Sequence, residues 1–211
     1  MISTFKVEGF KSLFDVSVDL GAFNVFIGAN GSGKSNLLEA LGVMGAAAFG
    51  SVEPETLRYR GVRPGLPALY KTSFKGQHFR RLITLTASVG EVIYRLGLDN
   101  PIESPSLRWK VTSESLREGD RPVVSRTPAE CILFDAAGKK ERITADPEQT
   151  IAKLALARRD NAAGAKALVD ALVNFAIYAP TTPVLRGIAN EDVTRAPVGL
   201  TGGGLPEAVK Q

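Results

Sequence analysis

The chain has 211 residues, of which 44% are hydrophobic and 23% are charged, with a formal net charge of +4. These values are typical of a globular protein with a hydrophobic core. The lysines and arginines are scattered, which does not argue for tight nucleic-acid binding, although DNA contact is compatible with them. The single cysteine, Cys131, excludes an internal disulfide framework, and no apolar run approaches the roughly 20 residues that span a bilayer, so we expect a cytoplasmic protein without membrane contact.

The first 45 residues predict three strands and a helix. Residues 2–7 read as a strand that turns at GFKS, and alternating apolar residues from Phe14 to Leu20 predict a half-buried second strand. Residues 23–27 are almost continuously apolar, which predicts a strand covered on both faces. From Ser35 the apolar residues recur at helical spacing.

The rest of the chain divides by composition and periodicity. Residues 50–79 are rich in Pro, Gly and Arg and predict loop, whereas residues 80–144 predict short strands with hairpins that turn near Gly90 and Gly138. Residues 148–176 return to helical periodicity, with a break at Gly164. We therefore predict a nucleotide-binding core (1–50), a β-rich inserted subdomain (51–147), and a helical segment with a Gly/Pro-rich tail that returns to the core (148–211).

The segment GANGSGKS, residues 28–35, carries the pattern Gly-x-x-x-x-Gly-Lys-Ser between a predicted strand and a predicted helix. Backbone N–H groups of such a loop point at phosphate oxygens, and the helix N-terminus adds positive dipole character. Lys34 would bridge the β- and γ-phosphates and the Ser35 hydroxyl would bind Mg²⁺. The predicted cofactors are ATP and Mg²⁺, and the predicted binding residues are Asn30, Gly31, Ser32, Gly33, Lys34, Ser35 and Asn36.

The stretches FKVEGFKSLFDVSVDL and GANGSGKSNLLEAL together closely resemble the N-terminus of ABC-type ATPases of the RecF, SMC and OLD-like group. In that group a short hairpin precedes the phosphate loop. NFAIYAPTTPVLRG and GLTGGGLPEAV resemble segments of AAA/OLD-type ATPases more weakly. The resemblance implies the α/β fold class: a P-loop NTPase with an ABC-like head lobe, an inserted antiparallel β subdomain and helices, which we expect to be incomplete.

The resemblance also assigns roles to residues outside the loop. Lys11 occupies a turn that the group places near the nucleotide, where it either touches a phosphate or is a solvated turn lysine. The group senses Mg²⁺ and the γ-phosphate with a glutamine, for which Gln77 and Gln149 are candidates by residue type alone. A solvated surface glutamine is the simpler interpretation of each.

Two elements that the group needs for hydrolysis are not found. One is an apolar strand that ends in Asp-Glu; in CILFDAA, Asp135 follows an apolar run, but Ala136 comes next, so we interpret this stretch as a hairpin. The other is a signature segment; TGGGLPEAV has the glycines without a preceding serine and favours a loop before a helix. We therefore interpret the chain as a first half that binds Mg²⁺–ATP without hydrolysing it, and its catalytic residues stay unassigned.

Three functions remain open. The first is the ATP-binding lobe of a RecF/SMC/OLD-like ATPase, which would work as a homodimer or with a C-terminal ATPase half or partner subunit, on DNA or on an effector. The second is a stand-alone nucleotide-binding module without hydrolysis. The third is a P-loop kinase or transporter ATPase. The isolated His78 and Cys131 favour neither a metal site nor a nucleophilic triad.

Overall fold

The computed structural model describes residues 1–63, 65–73, 81–158, 162–191 and 198–209. Within these ranges the chain is a mixed α/β structure. The strands are β1 Thr4–Phe10, β2 Leu13–Asp19, β3 Ile83–Val89, β4 Val92–Asp99, β5 Lys110–Glu118, β6 Arg121–Arg126, β7 Cys131–Phe134 and β8 Lys140–Arg142. The helices are α1 Lys34–Phe49, α2 Pro54–Arg58, α3 Pro67–Tyr70, α4 Ala152–Ala157, α5 Ala163–Asn174, α6 Thr182–Leu185 and α7 Leu205–Ala208.

All eight strands form one antiparallel sheet in the order β2-β1-β3-β4-β5-β6-β7-β8. The predicted N-terminal hairpin is confirmed as β1–β2, and the hairpins near Gly90 and Gly138 are confirmed as β3–β4 and β7–β8. β1 pairs with β3, with Val7 opposite Leu85. The sheet therefore continues across the predicted boundary at residue 50, while the three-part domain division itself stays a prediction.

Alternation along the strands places a row of fully buried residues on one face of the sheet, including Phe5, Leu85 and Leu96. Helix α5 packs on β3, β4 and β5, and α1 packs on both β1 and α5. Because α1 lies between the first hairpin and α5, most of its residues are buried. This packing holds the start of α1 close to the β1–β2 turn.

The prediction of a buried strand at residues 23–27 is wrong for this structure. The segment belongs to no strand, and Phe23, Val25 and Ile27 are 85%, 66% and 91% exposed. Among the described residues, its backbone N–H and C=O groups have no hydrogen-bond partner. The apolar pattern reports a preference for burial, but burial requires a neighbouring strand, and the described sheet ends at β2 without adding this segment.

The helical periodicity of residues 148–176 is confirmed by α4 and α5. Helix α4 ends at Ala157 and α5 begins at Ala163, so Gly164, the predicted break, lies inside α5. None of the described helices is both long enough and apolar enough to cross a membrane.

Glu114 on β5 fixes the start of α4 to the sheet. Its carboxylate is 1% exposed and accepts hydrogen bonds from the Tyr94 hydroxyl and from the backbone N–H groups of Ile151 and Ala152, each at 2.9 Å. Burial raises the pKa of Glu114 above its ordinary value near 4.5, against the lowering effect of these hydrogen bonds.

We expect Glu114→Gln to destabilise the fold by about 2 kcal/mol at neutral pH, because the amide cannot accept all three hydrogen bonds. The pKa of Glu114 is higher in the folded state than in the unfolded chain, so its contribution to the free energy of unfolding increases as pH falls from above the raised pKa towards 4.5. Urea unfolding of both proteins at several pH values checks this. A difference between wild type and variant that does not change with pH would contradict it.

Candidate phosphate-binding site

Residues 28–33 form a loop that leads directly into α1. Gly31 and Gly33 have φ of 84° and 97°, in the left-handed region that glycine adopts without a steric penalty. A Cβ atom at Gly33 would lie 3.1 Å from both Ser12 Oγ in the β1–β2 turn and Leu13 Cδ2 at the start of β2. Glycine is therefore favoured at position 33 by its backbone angle, and a side chain there would also press on Ser12 and Leu13.

Lys34 is the first residue of α1, and its side chain crosses the loop. The ammonium donates hydrogen bonds to the carbonyl oxygens of Gly28 and Ala29, both at 2.8 Å, and to Ser32 Oγ at 3.4 Å. These contacts close the loop around a single cation. The positive charge is thus held against the loop, within reach of an anionic group that the loop would bind.

The N-terminus of α1 supplies further positive character. The first intrahelical hydrogen bond runs from Leu37 N–H to the Gly33 carbonyl, and among the described residues no side chain caps the helix; its first turn has no acidic residue. The N–H groups of Lys34, Ser35 and Asn36 are thus not used inside the helix. In a 16-residue helix they carry the positive end of the dipole.

The seven predicted phosphate-binding residues thus form one continuous segment, which consists of the end of the loop and the first turn of α1. Asn30, Gly31, Ser32 and Ser35 are exposed, and the Asn36 amide nitrogen donates to Ser12 Oγ at 2.8 Å. A hydroxyl at Ser35, one residue after the lysine, fits a Mg²⁺ ligand by chemical type. In the described ranges, no group of three or more His, Cys, Asp or Glu side chains forms a metal site.

Lys11 lies in the β1–β2 turn with φ of 47°, a left-handed conformation that costs a non-glycine residue roughly 1 kcal/mol. Its ammonium contacts the Glu39 carboxylate and lies 4.9 Å from the centre of the Tyr70 ring. The side chain is only 16% exposed, so Lys11 is not a solvated turn lysine. Its predicted contact with a phosphate stays a prediction.

Glu39 and Arg63 are site-adjacent residues that the motif analysis did not identify. Glu39 lies on α1, is 2% exposed, and contacts Arg63 Nε at 2.5 Å as well as Lys11. Burial opposes ionisation of Glu39, but the hydrogen bonds from Arg63 and Lys11 outweigh it and hold the pKa of the carboxyl below its ordinary value. The sequence signal that could have identified Glu39 is an acidic residue at an apolar position of the helical pattern in LLEAL.

The other candidates lie away from this loop or outside the described residues. Gln77 and His78 fall in the range that the structure does not describe. Gln149 is exposed in the turn before α4, where its carbonyl accepts from Arg126 Nη1 at 2.5 Å. Asp135 accepts backbone hydrogen bonds from Ala137 and Lys139 in the β7–β8 turn, in agreement with the hairpin interpretation.

The glycine-rich segment at residues 201–204 precedes the short helix α7. The Thr201 N–H donates to Glu191 Oε1 at 2.6 Å, which ties this loop to the preceding segment. The structure thus agrees with the interpretation of TGGGLPEAV as a loop before a helix. Cys131 is a free, buried cysteine on β7, and burial raises the pKa of its thiol, so it has the environment of a core residue.

Residues 1–60 match the sequence model of the AAA ATPase domain family. The matched range contains the β1–β2 hairpin, the loop and α1. The match supports a P-loop ATPase of the AAA type, whose domains bind ATP, typically with Mg²⁺. A comparison with curated proteins finds no match.

Proposed function

We propose that this chain binds Mg²⁺–ATP through residues 28–36, as the nucleotide-binding lobe of an ABC-type ATPase of the RecF, SMC and OLD-like group. The observation that carries the proposal is the Lys34 ammonium, held across a glycine loop by the carbonyls of Gly28 and Ala29 at an uncapped helix N-terminus. N–H groups without an intrahelical partner, a fixed cation and a helix dipole at one place favour a polyphosphate over a small organic anion.

Hydrolysis is proposed to need a second ATPase half. Water attack on the γ-phosphate requires a group that positions the water, in addition to a phosphate loop. Among the described residues, the hydrogen bonds of Lys34 go only to loop atoms, and no carboxylate cluster is present to support Mg²⁺ beside Ser35. Mg²⁺ would therefore rest on the Ser35 hydroxyl, the phosphate oxygens and groups outside the residues that the structure describes.

The exposed segment at residues 23–27 supports the proposal that a second ATPase half docks beside the phosphate loop. It joins the loop directly, all of its side chains except that of Asn24 are apolar, and its backbone groups are unpaired among the described residues. A segment with these properties is stabilised when a neighbouring strand pairs with it. We propose that a C-terminal ATPase half or a partner subunit adds that strand and brings the missing catalytic groups beside the loop.

The resemblance to the RecF, SMC and OLD-like group extends the proposal to the whole protein. It would use ATP-dependent dimerisation to act on DNA or to control an effector protein, in the cytoplasm. The lysines and arginines are scattered along the sequence and do not form a basic cluster, so the sequence supports DNA binding less strongly than it supports ATP binding.

The proposal predicts that the purified chain binds ATP in the presence of Mg²⁺ and returns it unhydrolysed. Equilibrium dialysis with labelled ATP measures the binding, and chromatography of the recovered nucleotide together with a phosphate-release assay measures turnover. Sustained phosphate release that Lys34→Ala abolishes would contradict the need for a second half. No ATP binding at millimolar concentration would contradict the binding function itself.

A further inference from the structure

The β1–β2 turn contacts the start of α1 at two places. Nearest to the loop, Ser12 Oγ accepts a hydrogen bond from the Asn36 amide at 2.8 Å. About one helical turn further on, the Lys11 ammonium contacts the Glu39 carboxylate. The phosphate-binding end of α1 and the hairpin tip are therefore joined by adjacent residues of one turn.

Glu39 is the centre of this contact. One carboxylate oxygen contacts Lys11, and the other accepts from the Nε and backbone N–H of Arg63. At 2% exposure the carboxylate is almost removed from water, so its charge depends on these two cations. Glu39 thus fixes a turn lysine and the segment around residue 63 to the same helix.

The position of the turn bears directly on the shape of the loop. A Cβ atom at Gly33 would lie 3.1 Å from Ser12 Oγ and from Leu13 Cδ2, so the turn and the start of β2 pack closely against the left-handed residue just before α1. Lys11 itself is left-handed, and its backbone N–H donates to the Tyr70 carbonyl at 2.8 Å. A residue in this conformation keeps it only where surrounding contacts hold it.

We propose that Glu39 is a positioning residue for the phosphate loop. Through Lys11, its carboxylate holds Ser12 and Leu13 against Gly33, so that the first N–H groups of α1 are aligned before the nucleotide arrives. The inference rests on the proposed function, since it concerns the affinity of the same loop. Without the carboxylate, the turn relaxes away from Gly33 and ATP affinity falls, although Lys34 and Ser35 are unchanged.

The test measures Mg²⁺–ATP affinity of the full chain by titration calorimetry, for wild type, Glu39→Gln, Lys11→Met and the double variant. Glu114→Gln is the matched control, because it also removes a buried carboxylate charge but lies on β5 and contacts α4. We expect Glu39→Gln to weaken affinity about tenfold and Glu114→Gln to change it less than twofold. Each protein is first shown to be folded by urea unfolding.

The double variant separates positioning from direct contact. If Lys11 acts through Glu39, Lys11→Met weakens affinity in the wild type and has little further effect in the Glu39→Gln background. A full Lys11→Met effect in that background would show that Lys11 binds the phosphate on its own, which overturns the inference. Hydrogen exchange without nucleotide adds a second readout: Glu39→Gln is expected to speed exchange at residues 30–36 selectively.

The outcomes distinguish this inference from the proposed function. If wild type and Lys34→Ala bind ATP equally, the proposed function fails. If binding depends on Lys34 while folded Glu39→Gln binds as wild type does and exchange at residues 30–36 is unchanged, the positioning role is overturned and the proposed function stands. Should Glu39→Gln not fold, Lys11→Met leaves the Glu39–Arg63 pair in place, and wild-type affinity in that variant would overturn the inference.

Discussion

Lys34→Ala is expected to lower the affinity of the chain for Mg²⁺–ATP by about 100-fold. Among the described residues the ammonium is the charge that lies across the loop formed by residues 28–33, and its hydrogen bonds to Gly28 and Ala29 also hold that loop together. Loss of a positioned charge from a polyphosphate site costs about 3 kcal/mol, and each 1.4 kcal/mol is a factor of ten. Titration with a fluorescent ATP analogue measures the change.

Lys166→Ala is the matched control for this substitution. Lys166 is exposed on α5, so its removal changes the net charge by the same amount without touching the loop. Its affinity for ATP should equal that of the wild type. An equal loss of affinity in both variants would mean that general electrostatic attraction, and not the geometry at Lys34, accounts for binding.

Gly45→Ala is expected to destabilise the fold by about 3 kcal/mol, the largest stability effect among the substitutions considered. A Cβ atom at Gly45 would lie 2.5 Å from the Leu172 carbonyl oxygen and 3.1 Å from Arg60 Nε. Because the first of these is backbone of α5, the two helices must separate to admit the methyl group. This cost exceeds the gain of about 1 kcal/mol that alanine brings to a helix interior.

Gly164→Ala provides the comparison for Gly45→Ala. Gly164 lies in α5, where the nearest atom to an added Cβ is Glu118 Oε1 at 2.5 Å, the end of a flexible side chain that can move away. We expect the free energy of unfolding to change by less than about 1 kcal/mol. Urea unfolding of the two variants measures the difference, and comparable destabilisation of both would contradict close helix contact at Gly45.

The elements that depend on local pattern were predictable from the sequence. The alternation of Phe14, Val16 and Val18 and the turn residues Gly90 and Gly138 identified the hairpins, because a strand with one buried face repeats every second residue. The helix after Ser35 followed from its apolar spacing. The phosphate loop was predictable for a different reason, since its chemistry requires particular residue types at fixed intervals.

The features that depend on distant parts of the chain were not predictable. Residues 23–27 have the composition of a buried strand, yet whether they are buried depends on which strand lies beside them. Lys11, Glu39 and Arg63 are separated by more than twenty residues from one another and show no joint pattern. Their contact exists only because the first hairpin and α1 pack together.

Hydrogen exchange of the wild-type chain with and without Mg²⁺–ATP tests the central claim most directly, because it locates the nucleotide on the chain. Protection is predicted in peptides that cover residues 28–37, where the loop amides and the first N–H groups of α1 would meet the phosphates. No change is predicted in β5 and β6, which lie on the far part of the sheet. Unchanged exchange at residues 28–37 under saturating Mg²⁺–ATP, or protection confined to another region, would contradict the account.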